Sequence, residues 1–546
     1  MKANSHFLYR QSDMACSKIF SGNLPELLYE IIQNFRKDLS TLYSCILVNR
    51  LWCRLAIPLL WEDPFSVPAH HYRCIATYLC FLNEDNKAKL IEYGISNNVL
   101  SSNTLFNYPS FIKNLDTNKI RRSIIYWMRA LLDITDDMIG YLVYRSLFEV
   151  FIENEGNLHT FEIVISKGKN CKNFNDNIDL ILQNPNLTCN IRNLVIFCDA
   201  FLSQNIISLL EFLYSNCNSI SSMFFNFTKC SINDITLFKN YILQIIISQH
   251  NLKQISFELD PILYKTFLSL KNYNCSNTLN TIIFCYIDFT NILGVLQEVF
   301  NQLNVLESIH ICYCRSLNFD FVQQIIKVIK PLKLKSLFLD EILHIQSLLL
   351  LLQKFCECLE NFGFGFTYGK YDKQKQQLFE FIMRYCKNIK YFDFGFPNYK
   401  DIYLFIKNNQ NTINYITIEV NLYEDTIYKG LSLTVLQNLG QVLPSKLEYL
   451  CLSLPFIISD LEIFLKNSQN TFIKKLLIKN MGVYNDKKLF INCMKEYIMK
   501  PKRVKYLAIF DGLDLFWFKT VVNEFKLHNI IVHEYCDLYI TVYDFV

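Results

Sequence analysis

The chain has 546 residues, with 54 Lys and Arg against 50 Asp and Glu, which leaves a formal net charge of +4 at pH 7. So small a charge argues against a surface built throughout to hold nucleic acid, because phosphate binding needs a basic footprint. Hydrophobic residues make up 51% of the chain and charged residues 19%, a composition that excludes a disordered protein. The chain has only 14 Gly and 12 Pro, which disfavours an all-β sandwich with tight hairpins and a glycine-rich cofactor enzyme.

The cysteines and the apolar runs bear on the compartment. The chain has 20 Cys, scattered singly through apolar stretches, as at Cys45, Cys198 and Cys451, and such residues behave as small buried hydrophobes. Residues 1–23, predicted to be an N-terminal tail, lack the apolar core of a signal peptide, and Met14 is an alternative start. Apolar runs such as residues 348–352 are too short to span a membrane. We therefore expect a protein of the cytoplasm or nucleus with no membrane partner.

Residues 24–65 predict a module of three short helices. Pro25 suits the first turn of a helix, where its missing N–H costs nothing, and Asp38 can cap the second helix. The third helix is expected to carry Trp52 and to end at Pro58. The apolar side of the first helix comprises Leu24, Leu28, Ile31, Ile32 and Phe35. Three helices in about forty residues bury only a marginal core, so such a module usually gains stability from a partner.

This module resembles the F-box. The features shared with that family are Leu24-Pro25, Asp38-Leu39, Val48…Trp52 and Leu60-Trp61, whereas Asn49 stands where the family often has a small residue. The resemblance implies docking on the Skp-type adaptor of a cullin-containing, SCF-type ubiquitin ligase. By the same resemblance, the adaptor-binding residues would be Leu24, Pro25, Leu28, Ile31 and Ile32. The alternative is a small helical cap that closes the segment after it.

Residues 66–157 predict a helical connector. Helix-like stretches occur at residues 75–82, 87–93, 120–132 and 138–151. The pair His70-His71 is expected to lie in a surface loop, because adjacent side chains do not converge on a metal and no further ligands lie nearby.

From residue 158 to residue 546 one pattern recurs thirteen times: apolar-x-x-apolar-x-apolar. Its spacing averages about 29 residues, within the range of leucine-rich repeats. None of the thirteen second positions is apolar, which a merely apolar-rich chain would not produce. The first positions are Leu158, Ile191, Ile220, Leu252, Leu279, Leu306, Leu334, Leu359, Ile389, Ile413, Leu447, Ile473 and Val504.

Each copy of this pattern predicts a short strand, and helix-period segments such as residues 321–330 and 343–355 lie between copies. The array resembles the leucine-rich repeat in a degenerate, F-box-associated form, from which the usual asparagine after the strand is mostly missing. The predicted fold is α/β: a leucine-rich-repeat solenoid, with a concave parallel sheet and convex helices, preceded by the three-helix F-box. A helix-only solenoid is the structural alternative. Residues 528–546 predict one more strand and a closing cap.

The third position of each repeat is predicted to face a partner on the sheet. It is small and polar in the early repeats and mostly tyrosine in the late ones. Tyrosine gives rigid contact area with a hydrogen-bonding tip and is enriched at binding hot spots. The predicted target-binding residues are therefore Tyr391, Tyr415, Tyr449 and Tyr506. The alternative is that these tyrosines fill ordinary cross-strand stacks.

No catalytic motif emerges from the sequence. Asp393-Phe394-Gly395 spells the metal-binding tripeptide of kinases, but no phosphate loop accompanies it. Cys312-x-Cys314 and Cys356-x-Cys358 offer four thiolates, a weak pattern for zinc. We expect no catalytic residue, metal or cofactor. The expected function is substrate recognition for an SCF-type ubiquitin ligase, with an unknown protein substrate. The alternative is a leucine-rich-repeat scaffold without a ligase role, and an enzyme that uses a metal or nucleotide is a distant third.

Overall fold

The thirteen copies of the predicted apolar-x-x-apolar-x-apolar pattern form parallel strands that alternate with helices. The computed structural model describes residues 25–546 apart from 37, 67–71, 101–102, 132–135, 166–172, 199–203, 227–231, 259–262, 341, 343, 365–372, 396–398, 420–427, 483–485, 542–543 and 545–546. The chain divides into two compact units: residues 1–220 with 229–234, and residues 221–228 with 235–546. The first unit thus contains the first two predicted repeats together with the module and connector.

The first unit is mainly helical. Its helices are α1 Pro25–Gln33, α2 Leu39–Ile46, α3 Arg50–Leu60, α4 Cys74–Leu79, α5 Glu84–Glu92, α6 Asn97–Leu100, α7 Thr117–Leu131, α8 Asp137–Glu153, α9 Ile178–Gln183 and α10 Gln204–Asn216. Its strands, β1 Asn114–Asp116, β2 Thr160–Ile165 and β3 Asn193–Cys198, pair in parallel in chain order. The four connector helices predicted from the sequence match α4, α5, α7 and α8 to within a few residues, and the pair His70-His71 lies outside the described residues. The sequence did not predict β1.

The N-terminal module has the three helices expected. Asp38 caps α2 by accepting from the Thr41 amide, and Asn49 caps α3 by accepting from two amides. The third helix does not end at Pro58 but continues to Leu60, because a proline in the last turn forfeits only its own hydrogen bond. The module's core consists of Leu28, Ile32, Leu42, Cys45, Trp52, Ala56 and Leu59.

The module is packed against the connector within the first unit. The ring centroid of Trp61 lies 4.2 Å from that of Tyr108 and 5.3 Å from that of Tyr78. The Glu62 carbonyl accepts from the amides of Lys113 and Asn114, both at 2.9 Å. These contacts follow directly on the end of α3, so the module does not hang from a free linker.

The second unit repeats one strand–helix step. Its strands are β4 Ser222–Asn226, β5 Gln254–Glu258, β6 Thr281–Cys285, β7 Ser308–Cys312, β8 Lys333–Leu339, β9 Asn361–Phe364, β10 Tyr391–Asp393, β11 Tyr415–Glu419, β12 Lys446–Leu454, β13 Phe472–Asn480, β14 Val504–Asp511, β15 Leu513–Asp514 and β16 Ile531–Val532. Its helices are α11 Ile232–Ser248, α12 Leu263–Ser269, α13 Tyr273–Thr278, α14 Leu293–Gln302, α15 Phe319–Ile326, α16 Ile345–Phe355, α17 Lys373–Tyr385, α18 Tyr399–Asn408, α19 Tyr428–Val442, α20 Ile458–Asn467, α21 Lys487–Met494, α22 Lys519–Leu527 and α23 Tyr535–Leu538.

Strands β4 to β14 pair in parallel, each with the next in chain order. From β8 to β14 the third positions of successive repeats are direct partners, as with Tyr391 and Tyr415. One irregularity shifts the register between Ile309 and His310. The α/β fold with parallel strands and alternating helices is confirmed, and the helix-only solenoid is wrong. The arrangement is consistent with a solenoid.

Successive strand side chains point to opposite faces of the sheet. The fourth and sixth positions pack on the helices: the ring of Phe392 lies 4.2 Å from that of Phe405 in α18 and 5.6 Å from that of Phe379 in α17. The third, fifth and seventh positions lie on the other face of the second unit's sheet, which we call the odd-position face. The last strands are β15, antiparallel to β14, and β16, parallel to β14; β16 is the additional strand predicted from the sequence.

Candidate recognition face

The structure brings the four predicted target-binding tyrosines into one row across β10 to β14. Tyr391 pairs with Tyr415 and Tyr415 with Tyr449, while Lys475 stands between Tyr449 and Tyr506. Tyr449 is fully buried and Tyr391 is 2% exposed, whereas Tyr415 and Tyr506 are half-buried. Their role in binding a target stays a prediction. Only Tyr415 and Tyr506 present surface that a partner could contact without rearrangement.

The small polar third positions of the earlier strands hydrogen-bond to one another. The Thr281 and Ser308 hydroxyls lie 3.0 Å apart. Asn361 donates from Nδ2 to Ser336 Oγ at 2.8 Å, and that hydroxyl also lies 2.8 Å from His310 Nδ1. These groups satisfy one another within the protein, so this part of the face offers few free hydrogen-bonding groups.

Aromatic rings continue the row toward the early strands. Tyr286 stacks on Tyr313 with centroids 5.2 Å apart, and Phe338 lies 5.7 Å from both Tyr313 and Tyr391. Tyr286 and Tyr313 have φ angles of 53° and 56°, a left-handed conformation that costs roughly 1–2 kcal/mol for a residue other than glycine. No pattern in the sequence indicates this part of the row, because both tyrosines follow their strands and a sequence pattern does not report backbone handedness.

Gly363 makes the close packing of this row possible. A Cβ atom on Gly363 would lie 2.6 Å from the Cβ of Asp393 and 2.8 Å from a ring carbon of Phe338. The space that a larger residue would need is filled by these two neighbours. The glycine therefore serves side-chain packing across three strands.

Two carboxyl groups, Asp393 and Glu419, lie within the face. Burial, followed by the nearby Glu419, raises the pKa of Asp393 well above its usual range. Asp393 Oδ1 accepts from the Gly395 amide at 3.1 Å, where Gly395 has a φ of 54°. The tripeptide that resembles a kinase motif thus spans the end of β10 and the bend that follows it. Burial also raises the pKa of Glu419, although the Tyr539 hydroxyl and Lys479 oppose that rise.

Residues 533–541, which we call the C-terminal strap, lie on the odd-position face over β11 to β14. Leu538 is buried among Tyr449, Cys451, Leu477 and Ala508. The strap residues packed around that cluster are Tyr535, Tyr539 and Ile540. The predicted closing segment therefore covers part of the predicted target-binding surface, which explains why Tyr449 has no exposed area.

Hydrogen bonds hold the strap along its length. The Tyr539 hydroxyl donates to Glu419 Oε2 at 3.1 Å, and the Ile540 amide donates to the Tyr449 hydroxyl at 3.2 Å. The Tyr535 hydroxyl lies 3.2 Å from the Cys451 sulfur. Each of these three bonds uses a side chain of the sheet, whereas at the start of the strap the His533 amide donates to the Leu507 carbonyl of β14 at 2.8 Å. The closing cap was predicted from the sequence, but its placement over the tyrosine row was not, because the residues of the cap do not indicate which surface they will cover.

The described residues hold one group with metal-ligand spacing, formed by Glu534, Cys536 and Asp537. The four cysteines that suggested zinc are not part of it. The Cys314 thiol donates to the Phe284 carbonyl at 3.3 Å, and the Cys358 thiol to the Phe355 carbonyl at 3.2 Å. A four-thiolate centre is not assembled in the part of the chain that the structure describes.

The predicted adaptor-binding residues occupy different environments. Leu24 lies outside the described residues, Pro25 begins α1 and is exposed, and Ile31 is partly buried. Leu28 and Ile32 are fully buried in the module's core, so they support the module's shape and offer no free surface. The exposed apolar residues of the module are instead Leu27, Tyr29, Tyr43, Leu47 and Val48.

None of the helices described here combines the length and apolarity that a membrane crossing requires. A scan against protein-family models matches no family, and a search of the curated proteins finds no match. The resemblances to the F-box and to leucine-rich repeats therefore rest on the residue patterns alone.

Proposed function

We propose that this chain is the substrate-recognition adaptor of an SCF-type ubiquitin ligase. In this proposal the N-terminal module docks on a Skp-type adaptor, and the odd-position face of the repeat array holds a protein target. The observation that carries the proposal is the exposed apolar surface at the end of α2, where Leu47 is 86% exposed and Val48 50%. This surface belongs to a module whose sequence resembles the F-box.

Exposed apolar side chains side by side are characteristic of a surface that a partner covers. Tyr43, one turn before Leu47, is 58% exposed and extends the same apolar surface. The core beneath these residues is small and already filled by Leu28, Ile32 and Leu42. Rearrangement inside the module therefore could not bury Leu47 and Val48, whereas an adaptor could.

The proposed mechanism is proximity. Holding a target and a ubiquitin-charged enzyme in one assembly raises their effective concentration, so this chain needs no catalytic residue. Every described cysteine is free, which supports a reducing compartment such as the cytoplasm or nucleus. Tyr415 and Tyr506 are the predicted target-binding residues with accessible surface.

Capture of a purified Skp-type adaptor tests the proposal. Leu47→Glu combined with Val48→Glu places two charges on the exposed surface, and we expect at least tenfold weaker capture with an unchanged melting temperature. Ile329→Glu is the matched control, because Ile329 is 90% exposed and lies in the second unit. Leu28→Asp with Ile32→Asp would not serve, since both residues are in the core and their loss would unfold the module. Failure of the intact chain to retain the adaptor would contradict the proposal.

A protein-binding scaffold without a ligase role is the second candidate. One observation favours it: the module already has a structural partner in its own unit, through Trp61 against Tyr78 and Tyr108. A purely structural module would hold the connector and need no adaptor. In the capture experiment, this candidate predicts no adaptor binding by the intact chain, with or without the substitutions.

A further inference from the structure

We propose that the C-terminal strap occupies a peptide-binding site on the odd-position face, and that a partner protein carrying a Tyr-x-x-Leu-Tyr segment binds there by displacing it. This inference rests on the proposed function, because it names the kind of target segment that the face accepts. It follows from the chemistry of the contacts that the strap makes at Tyr535, Leu538 and Tyr539.

The centre of the site is an apolar slot for one leucine. Tyr449, Cys451, Leu477 and Ala508 line it, and each is fully buried. Leu538 fills the slot and is itself 6% exposed. Ala508 is the smallest of the lining residues and leaves room for a branched side chain next to Tyr449. Full burial of a leucine side chain is strongly favourable, so this position is the anchor of the segment.

Two polar positions flank the slot and select for tyrosine. Glu419 is 7% exposed, and its Oε2 accepts the hydroxyl of Tyr539. An occupant without a donor at this point would leave a buried carboxyl group poorly satisfied, which is costly. On the other side, the ring of Tyr535 lies 5.7 Å from Lys479 Nζ, and its hydroxyl reaches the Cys451 sulfur. Phenylalanine would fill the same volumes but could not make these hydrogen bonds.

The strap is attached weakly enough to dissociate from the face. Its connection to the sheet is β16, a strand of two residues paired with Tyr506 and Leu507. Beyond β16, the His533 amide donates to the Leu507 carbonyl of β14 at 2.8 Å, and the Tyr535 amide donates to Asp514 Oδ2 at 2.7 Å. From Tyr535 to Ile540, the hydrogen bonds to the face use side chains of the sheet. Segments held by side chains open at a lower free energy than strands in a ladder. Opening would expose the slot and both flanking positions without breaking the pairing of β11 to β14.

The test uses the full chain and a synthetic fluorescent peptide with the sequence of residues 533–541. In the strap variant, Tyr535→Ala, Leu538→Asp and Tyr539→Ala release the strap and leave the face unchanged. Cys536→Ser is the matched control, because Cys536 is exposed on the same segment. We expect saturable one-to-one binding of the peptide to the strap variant and at least tenfold weaker binding to the intact chain and to the control. A peptide with phenylalanine at the position of Tyr539 should bind the strap variant roughly tenfold more weakly.

Two results would overturn the inference. One is a folded strap variant that does not bind the peptide. The other is a concentration-dependent dimer of the intact chain that exchanges straps, which would make a second copy the occupant. If the strap variant fails to fold, hydrogen exchange of the intact chain decides between the outcomes. The amides of Tyr535 and Ile540 should exchange well before those of Leu452 and Leu477. Equal protection of the four amides would overturn the inference. Because no Skp-type adaptor takes part, failure here leaves the adaptor-capture result untouched.

Discussion

His310 is a titratable side chain held inside the odd-position face. It is 4% exposed, and its Nδ1 lies 2.8 Å from Ser336 Oγ. Burial, followed by the charge of Lys335, lowers the pKa of His310 to about 4, whereas an unfolded chain has a histidine pKa of about 6.5. The folded chain therefore keeps this imidazole neutral at pH values where the unfolded chain already binds a proton.

That difference predicts a loss of stability in mild acid. Above pH 6.5 the imidazole is neutral in both states and contributes nothing; as pH falls from about 6.5 toward 4, only the unfolded state is protonated, and stability decreases. At pH 4.5 the loss from this one group should reach about 2–3 kcal/mol. We expect the melting temperature to fall more between pH 7 and pH 4.5 in the natural chain than in His310→Gln. An equal fall in both proteins would contradict this assignment, since all other titrating groups are shared.

At the residue scale, the sequence predicted the register of the strands better than it predicted which side chains are exposed. The first helix of the module, residues 25–33, carries apolar residues on more than one side, so its pattern could not tell buried Leu28 from exposed Leu27. The same limit applies to the tyrosine row, where the register was predictable but the burial of Tyr449 depends on the strap. Contacts between distant segments decide burial, and a local pattern does not contain them.

Helix α3 depends on an N-cap, Asn49, at a position where F-box sequences often have a small residue. Asn49 Oδ1 accepts from the amides of Leu51 and Trp52 at 2.9 and 3.0 Å. Loss of an asparagine cap costs about 1 kcal/mol, so Asn49→Ala should speed hydrogen exchange in the first turn of α3 roughly fivefold. Asn49→Asp retains an acceptor and should leave exchange nearly unchanged. Equal exchange in the natural chain and Asn49→Ala would show that the tertiary packing of Trp52, and not the cap, holds this end of the helix.

At the scale of elements, the strands were the most predictable part of the molecule. Nine of them, β2 to β7 and β9 to β11, begin at the third position of their copy of the repeated apolar pattern, as with Thr160 and Tyr415. The pattern predicts these strands correctly because its fourth and sixth positions are buried against helices of the same repeat. Strand β1 and the position of the strap on the odd-position face were not predicted, because neither follows from a repeated pattern and each is set by tertiary contacts.

The whole molecule places two kinds of surface on one chain. The first unit carries the exposed apolar residues of the module, and the second carries the odd-position face with its strap. Each surface can be altered without touching the core beneath it, through Leu47 and Val48 in one case and through the strap in the other. The account therefore predicts two separable losses, one of adaptor binding and one of target binding.

Proximity labelling in cells, followed by measurement of ubiquitin on the labelled proteins, tests the central claim most directly. With the intact chain, we expect labelling of a Skp-type adaptor, a cullin and a set of target proteins that carry ubiquitin. With Leu47→Glu and Val48→Glu together, adaptor and cullin labelling should disappear, while the same targets remain labelled, lose ubiquitin and accumulate. Two observations together would contradict the claim. The intact chain would label neither the adaptor nor the cullin, and the substitutions would leave the ubiquitin on the labelled targets unchanged.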